Sequence, residues 1–369
     1  MPKGIILFCL MIISFKSISQ LYDAAILDIN TSARLYGFGE VGVVSSPFYK
    51  NTGVYQNPAL ISNYSRSAGI NFTYEPWLRK LSDNMNLYSF DGFYSIDSSN
   101  ALGFCMSYFD LGTIIVMDEF GEYESEDKPS ELYFKMGYTH SFNKYISVGV
   151  ALKYFKSEIA PASATFANDV NSFALDLGFS YKKVYSLNSI SFLHTNAGLA
   201  ITNLGPKVEY TDYNKSFIPT KLSLGAFINP DIGMNDKYRI SIELGYQMEK
   251  FLVPSDENSD LSSFEALYVS FTDAPGGFEE ELDEIRHKFG SELRLSIFDY
   301  GYVAFRHGRS IENENKGNRN YQTFGYGMGV FGFMLDFMHI VSDTDSPLNK
   351  TWALSFGFQA NLDKAFFKF

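Results

Sequence analysis

Residues able to do chemistry are present, but they do not gather in the patterns that do it. Gly37-Phe38-Gly39-Glu40-Val41-Gly42 fits G-x-G-x-x-G letter for letter, the spacing that lays backbone amides against a pyrophosphate. That use needs a strand before the glycines, a helix after them and an acid about 20 residues further on. No β-patterned run precedes Gly37, Pro47 interrupts the stretch after Gly42, and 58–62 contains no acid. Nucleotide binding is therefore not expected. The histidines His140, His194, His287, His307 and His339 are scattered without metal-ligand spacing, and no nucleophile motif singles out a Ser-His-acid triad. Cys105 reads as a small strand residue. The acids Asp118, Glu119, Glu122, Glu124, Glu126 and Asp127 read as a solvated loop, since calcium would need ordered oxygen ligands. No enzymatic activity, cofactor or metal is expected.

A binding surface is easier to find. In Ser270-Phe271-Thr272-Asp273-Ala274-Pro275-Gly276-Gly277-Phe278, the Pro-Gly-Gly forces a turn. Beyond it Phe278, Leu282 and Ile285 recur at helical spacing with acids on the other face. A short helix packed on a rim and a partner-docking element both fit. Under the second reading Phe271, Asp273, Pro275, Gly276, Gly277 and Phe278 are the candidate contacts, because exposed aromatics are favoured interface anchors.

The elements that must carry such a loop are strands. At 173–179, Phe173, Leu175, Leu177 and Phe179 share one face while Ala174, Asp176 and Gly178 take the other. Tyr238, Ile240, Ile242, Leu244 and Tyr246 alternate in the same way with Arg239, Ser241, Glu243 and Gly245, as do Trp352, Leu354, Phe356 and Phe358 with Ala353, Ser355 and Gly357. A soluble sandwich would turn the apolar face inward, and a membrane barrel would turn it to lipid. These runs last about ten residues, as tilted membrane strands must, against a soluble mode of about five or six. Fourteen are expected, near 67–75, 85–96, 100–110, 131–141, 145–156, 171–181, 192–202, 220–229, 237–248, 288–298, 301–309, 321–331, 332–342 and 351–361, with the break near Gly332 the least defined. Connections after odd strands are mostly long and those after even strands mostly short, the asymmetry of outer-membrane barrels. The expected fold is all-β, a transmembrane antiparallel barrel of about fourteen strands.

Residues 1–19 read as a signal peptide: Lys3, an apolar run from Ile5 to Ile13, and Ser17-Ile18-Ser19 as a small-x-small cleavage site. That run is too short to span a bilayer as a helix, and Cys9 lies too far from the cleavage site to be a lipid-anchor cysteine. Losing Lys3 and Lys16 takes the net charge from −12 to −14, which argues against nucleic acid. Only Cys105 then remains, so no internal disulfide can form. Residues 20–66 lack strand alternation and are rich in Gly and Ser. A periplasmic tail would fit, but a plug folded into the lumen is favoured, because so wide a barrel otherwise leaves a channel. The division expected is 1–19 leader, 20–66 plug and 67–369 barrel. The terminal Phe366-Phe367-Lys368-Phe369 is similar to the aromatic signal read by outer-membrane assembly machinery.

Several segments resemble one family: EVGVVSSP at 40–47, NPA at 57–59, YEPWLRKL at 74–81, SYFDLGTI at 107–114, SFTDAPGGFEEE at 270–281 and KGNRNYQTFG at 316–325. In order, over nearly the whole mature chain, they resemble the PorV (LptO) family, type IX secretion components of Bacteroidetes within the wider FadL-like barrels. NPA (Asn57, Pro58, Ala59) is shared with fatty-acid transporters, while PWLRKL and DAPGGF are more specific. TSARLYGFGE at 31–40 is less glycine-rich than the usual start, and LDKAFFKF follows the final strand as an extra piece, which leaves room for a paralogue with another partner. The resemblance implies a non-enzymatic fourteen-stranded barrel. It also implies that cargo with a C-terminal signal domain is accepted from a SprA-type translocon and delivered to the surface attachment complex where a PorU-type sortase works. It adds Trp77, Leu78 and Arg79 to the candidate contacts and Asn57, Pro58 and Ala59 as a plug motif. The alternative is a FadL-type channel for hydrophobic small molecules. The channel requires a continuous apolar path through the lumen, whereas the shuttle requires a plugged lumen and apolar residues on the loops.

Overall fold

The computed structural model describes residues 23–362 apart from 45, 47–52, 62–65, 118–119, 121–122, 160–167, 213, 236, 256–259, 298–299 and 344–345. The leader, Pro47, the acids Asp118, Glu119 and Glu122, and the aromatic terminus at 363–369 lie outside the described residues.

Fourteen strands close into one antiparallel barrel. They are β1 (Ser67–Pro76), β2 (Asn86–Ser95), β3 (Asn100–Asp110), β6 (Ser130–Ser141), β7 (Ile146–Glu158), β8 (Val170–Ser186), β9 (Phe192–Leu204), β12 (Lys221–Gly233), β13 (Tyr238–Phe251), β14 (Arg286–Ile297), β15 (Gly301–Ile311), β16 (Tyr321–Val330), β17 (Phe333–Ser342) and β18 (Trp352–Asn361). Two small hairpins, β4 (Ile114–Met117) with β5 (Tyr123–Asp127) and β10 (Val208–Thr211) with β11 (Asn214–Ser216), stand in long connections. The barrel closes where β1 pairs with β18, Phe72 opposite Phe356.

Alternation sets the orientation of every strand. On β8, Phe173, Leu177 and Phe179 are exposed, whereas Ser172, Ala174, Asp176 and Ser180 are buried. Apolar side chains therefore face outward and polar ones inward, the polarity of a membrane barrel rather than a sandwich. Strand ends shift from the sequence reading by a few residues. The largest shift is on β8, which runs to Ser186 rather than ending near 181. The break at 331–332 is a two-residue turn in which Phe331 (φ 49°) and Gly332 (φ 89°) are both left-handed. That conformation matches the twist of a hairpin.

The lumen is occupied. Residues 23–44 and 53–61 run inside the wall with a 3-10 turn (Ala25–Leu27), a helix capped by Ser32 (Ala33–Gly37), a helix (Gly53–Gln56) and a second 3-10 turn capped by Asn57 (Pro58–Leu60). Ile26, Leu35 and Ile61 are fully buried, as are Leu87, Phe155, Met338 and Ile340 on the wall. The hydrophobic core thus lies between an N-terminal segment and the inner surface of the barrel.

Candidate functional site

Between Ala24 and Pro47 the sequence carries three charges, Asp28, Arg34 and Glu40. Each meets opposite charge on the sector β12–β16. Asp28 accepts from Lys221 at 2.9 Å and from Arg286 at 3.2 Å. Arg34 donates to Glu243 at 3.1 Å and lies 3.6 Å from Glu292. Glu40 is bound by Lys288 at 2.7 Å and by the Tyr321 hydroxyl. Burial alone would raise the Asp28 carboxyl, but Arg286 and Lys221 hold it well below the usual carboxylate range. Glu249 joins the wall cations from behind, 2.9 Å from both Arg286 and Lys288, and Arg306 bridges Glu292 to Asp336. Buried pairs of this kind add little net stability, yet removing one partner strands the other. Their effect is to fix one position of the segment.

A second attachment holds the opposite sector. Asn57 donates to the carbonyls of Val43 (2.8 Å) and Phe179 (3.0 Å) and accepts from the Ala59 amide (3.0 Å). Thr139 donates to the Pro58 carbonyl, and Ser147 donates to that of Ala59 at 3.0 Å. Gly178 and Gly149 make room: a Cβ on Gly178 would stand 2.1 Å from Asn57 Oδ1, and one on Gly149 would stand 2.3 Å from the Pro58 carbonyl carbon. The asparagine–proline–alanine triplet is thus bonded to the wall at β6, β7 and β8. Gly37 and Gly39, from the nucleotide-like motif, pack against Gly325 and Gly308 of the wall instead of opening toward a ligand.

At the end with long connections, the described residues 260–285 fold over the rim with two short helices, Ser263–Val269 and Phe278–Asp283. Here the structure reverses the facing expected for a rim-packed amphipathic helix. The acids point down: Glu281 and Glu284 take Lys250, Glu284 and Glu280 take Lys316, and the Ala274 amide donates to Glu281 at 2.8 Å. Burial opposes the Lys316 charge, but its bonds to Glu280 and Glu284 raise its pKa. Phe278 (75 % exposed) and Leu282 are left pointing outward. The first helix, closed by a Ser262–Glu265 capping box, presents Phe264 and Tyr268 alongside Phe271. Sequence reasoning missed Phe264 and Tyr268, although their spacing of four is the signal of a common helix face.

Of the candidate contacts, Pro275, Gly276 and Gly277 are exposed in the turn, and Gly277 is left-handed (φ 73°). Asp273 is half-buried and accepts from the Ser255 amide at 2.7 Å. Trp77 is half-buried at the mouth, with its ring edge-on to Phe109 at 6.3 Å. Leu78 is left-handed (φ 45°), and Arg79 donates to Tyr74 and Asn86. No hydrogen bond, ion pair or ring contact among the described residues joins 77–79 to 271–278. No group of three or more His, Cys, Asp or Glu able to hold a metal occurs among the described residues. Of the histidines, His307 and His339 flank Phe324 on the outer wall, while His194 lies 3.9 Å from Asp231.

No curated protein matches the sequence. Among solved structures, the chain is similar to the toluene transporter TbuX of Ralstonia pickettii (11% identity, TM-score 0.42, covering 89% of this chain and 97% of that one). It is also similar to a FadL homologue of Pseudomonas aeruginosa (9%, 0.43, 93% and 100%) and to the monoaromatic hydrocarbon channel CymD (8%, 0.46, 93% and 99%). The family model described as type IX secretion system protein PorV matches residues 21–258. That span contains the buried segment, the asparagine–proline–alanine triplet and the strands through β13, while DAPGGF and KGNRNYQTFG lie beyond it. The match covers well over half of the sequence, and the chain belongs to the PorV family of type IX secretion system proteins.

Proposed function

We propose that this outer-membrane protein is a carrier in type IX secretion. It accepts cargo bearing a C-terminal signal domain from a SprA-type translocon and hands it to the attachment complex that holds a PorU-type sortase. One observation carries the choice of a carrier over a channel: the lumen holds the N-terminal segment, tied to the wall by buried charges. A channel for hydrophobic molecules needs a continuous apolar path, whereas here Asp28, Arg34 and Glu40 sit among wall cations and carboxylates, and Asn57 is bonded to the opposite wall. The exposed rings lie on the rim instead, at Phe264, Tyr268, Phe271 and Phe278. Exposed aromatics on one rim loop suit a protein partner. The plug is the segment 20–66, and a cleaved leader at 1–19 accounts for export.

Replacing 273–278 with a Gly/Ser linker tests this reading. Barrel assembly, followed by heat-modifiable migration, stays intact because those residues lie outside the wall. Cargo release or capture of the translocon falls. Normal release from a fully assembled variant would remove this loop from the working surface.

A further inference from the structure

At the mouth, the plug, wall and loops leave a cavity of about 220 Å³. Trp77, Phe109, Ile340 and Leu348 wall it, and Ile29 of the buried segment floors it. The charges around it are already answered. Lys288 is taken by Glu40 and Glu249, Arg286 by Asp28 and Glu249, and Arg319 by Glu312. A charged ligand would have to break these pairs, so the cavity suits an uncharged apolar group. Its size limits that group to one ring: an apolar cavity of about 150 Å³ holds benzene, whereas sites for drug-sized ligands begin at about 300 Å³. Trp77 and Phe109, already edge to face, offer a third ring the same tilted packing.

We propose that this cavity receives a single aromatic side chain from a polypeptide docked at the mouth. The inference rests on the carrier reading, and it adds the chemistry by which a partner is gripped. A tethered side chain fits better than a free aromatic molecule in transit, because the way onward is too narrow for a ring. Ile29 follows Asp28, which Lys221 and Arg286 pin to the wall, and the cavity on the far side of these two residues holds only about 30 Å³, room for a water rather than a ring.

The protein supplies its own reporter. It has two tryptophans, and Trp352 lies on the outer wall, edge-on to Tyr74 at 5.8 Å. In a Trp352→Phe variant of the full chain in nanodiscs, Trp77 alone reports on the cavity. N-acetyl-phenylalaninamide should shift its emission saturably. Ile340→Phe and, independently, Leu348→Phe fill the cavity and should weaken that binding about ten-fold or more. The loop variant serves if the strand variant fails to assemble, and heat-modifiable migration shows which have folded. Saturable binding of toluene without binding of the amide would overturn the proposal in favour of a small-molecule site. Binding of neither would make the cavity a packing gap. A Leu348→Phe protein that loses the amide yet releases cargo normally would sink the side-chain grip while leaving the carrier reading, tested by the 273–278 replacement, untouched.

Discussion

Arg34 and Glu243, 209 residues apart in sequence, meet at 3.1 Å inside the barrel with both side chains almost wholly buried. Glu292 shares the same guanidinium at 3.6 Å. The guanidinium joins the N-terminal segment to β13 and β14; without it Glu292 keeps Arg306, while Glu243 keeps a hydrogen bond from Ser46.

Arg34→Ala should therefore loosen the plug without opening the wall. Removing one member of a buried pair costs roughly 3–5 kcal/mol. The readouts are a lower urea midpoint and faster proteolysis within 23–61 in reconstituted protein, with heat-modifiable migration retained. Unchanged proteolysis would mean that the segment is held by packing and the Asn57 contacts alone.

Gly178→Leu should detach the other end. Its Cβ would stand 2.1 Å from Asn57 Oδ1, so the triplet must leave the wall or the strand must move. If Asn57 anchors the plug at β8, Asn57→Ala gives the same proteolytic pattern in 53–61 with a milder loss of stability, about 1–3 kcal/mol from the unsatisfied groups. A different pattern in the two variants would separate strand distortion from lost anchoring.

How much of this was legible in the sequence depends on the range of each interaction. Strands announce themselves locally, since Phe173 and Leu177 alternate with Ala174 and Asp176 whatever they pair with. The tight turn at Phe331-Gly332 was visible only as a glycine. The ion pairs were not legible, because Arg34 finds Glu243 only after the barrel closes. Three charges spaced six apart in an otherwise uncharged stretch were the one available sign. The helix at Phe278–Asp283 was legible, but which of its faces packs was not, for a different reason. Amphipathic patterning assumes an apolar surface beneath, whereas the rim here offers Lys250 and Lys316, so the acidic face is the one that packs. The occupied lumen also bears on the wall: Ser180 faces inward, is buried and accepts from Asn196 at 2.9 Å.

Leu177→Arg should impair assembly, by roughly 2–4 kcal/mol for a cation at the bilayer midplane, because Leu177 is exposed on the outer face. Ser180→Arg should be damaging too, through overpacking. The two differ in where the damage appears: Leu177→Arg lowers yield in the membrane fraction, while Ser180→Arg assembles with a protease-sensitive segment at 53–61. Identical behaviour would contradict the assigned facing.

Acid should weaken the plug through Asp28. Its folded carboxyl is held well below the ordinary value by Arg286 and Lys221 against the opposing effect of burial. A depressed carboxylate contributes stability that is fully present above its unfolded value, about 3.9, and is lost as pH falls through the folded value. Asp28→Asn should therefore be less stable than the parent at pH 7, and the gap should narrow as pH drops below about 4. Urea midpoints across that range check it, and a gap independent of pH would show that the charge on Asp28 contributes nothing.

The exposed rings allow binding to be separated from folding. Phe278 and Leu282 point outward while Glu281 and Glu284 hold the same helix to Lys250 and Lys316. Phe278→Ser combined with Leu282→Ser removes apolar surface that is mostly open to solvent, so stability should change by less than about 0.5 kcal/mol. Lys316→Met does the opposite, leaving the rings in place but removing the cation that ties Glu280 and Glu284 together, and should lower the thermal midpoint. If the rim is the docking surface, the serine pair reduces cargo release at matched protein levels and full stability. Lys316→Met then reduces it only as far as the loop unfolds, and lowering the assay temperature restores release. If the rings matter only for packing, the serine pair releases cargo normally, and the exposed face of the first helix, Phe264 with Tyr268, becomes the surface to alter next.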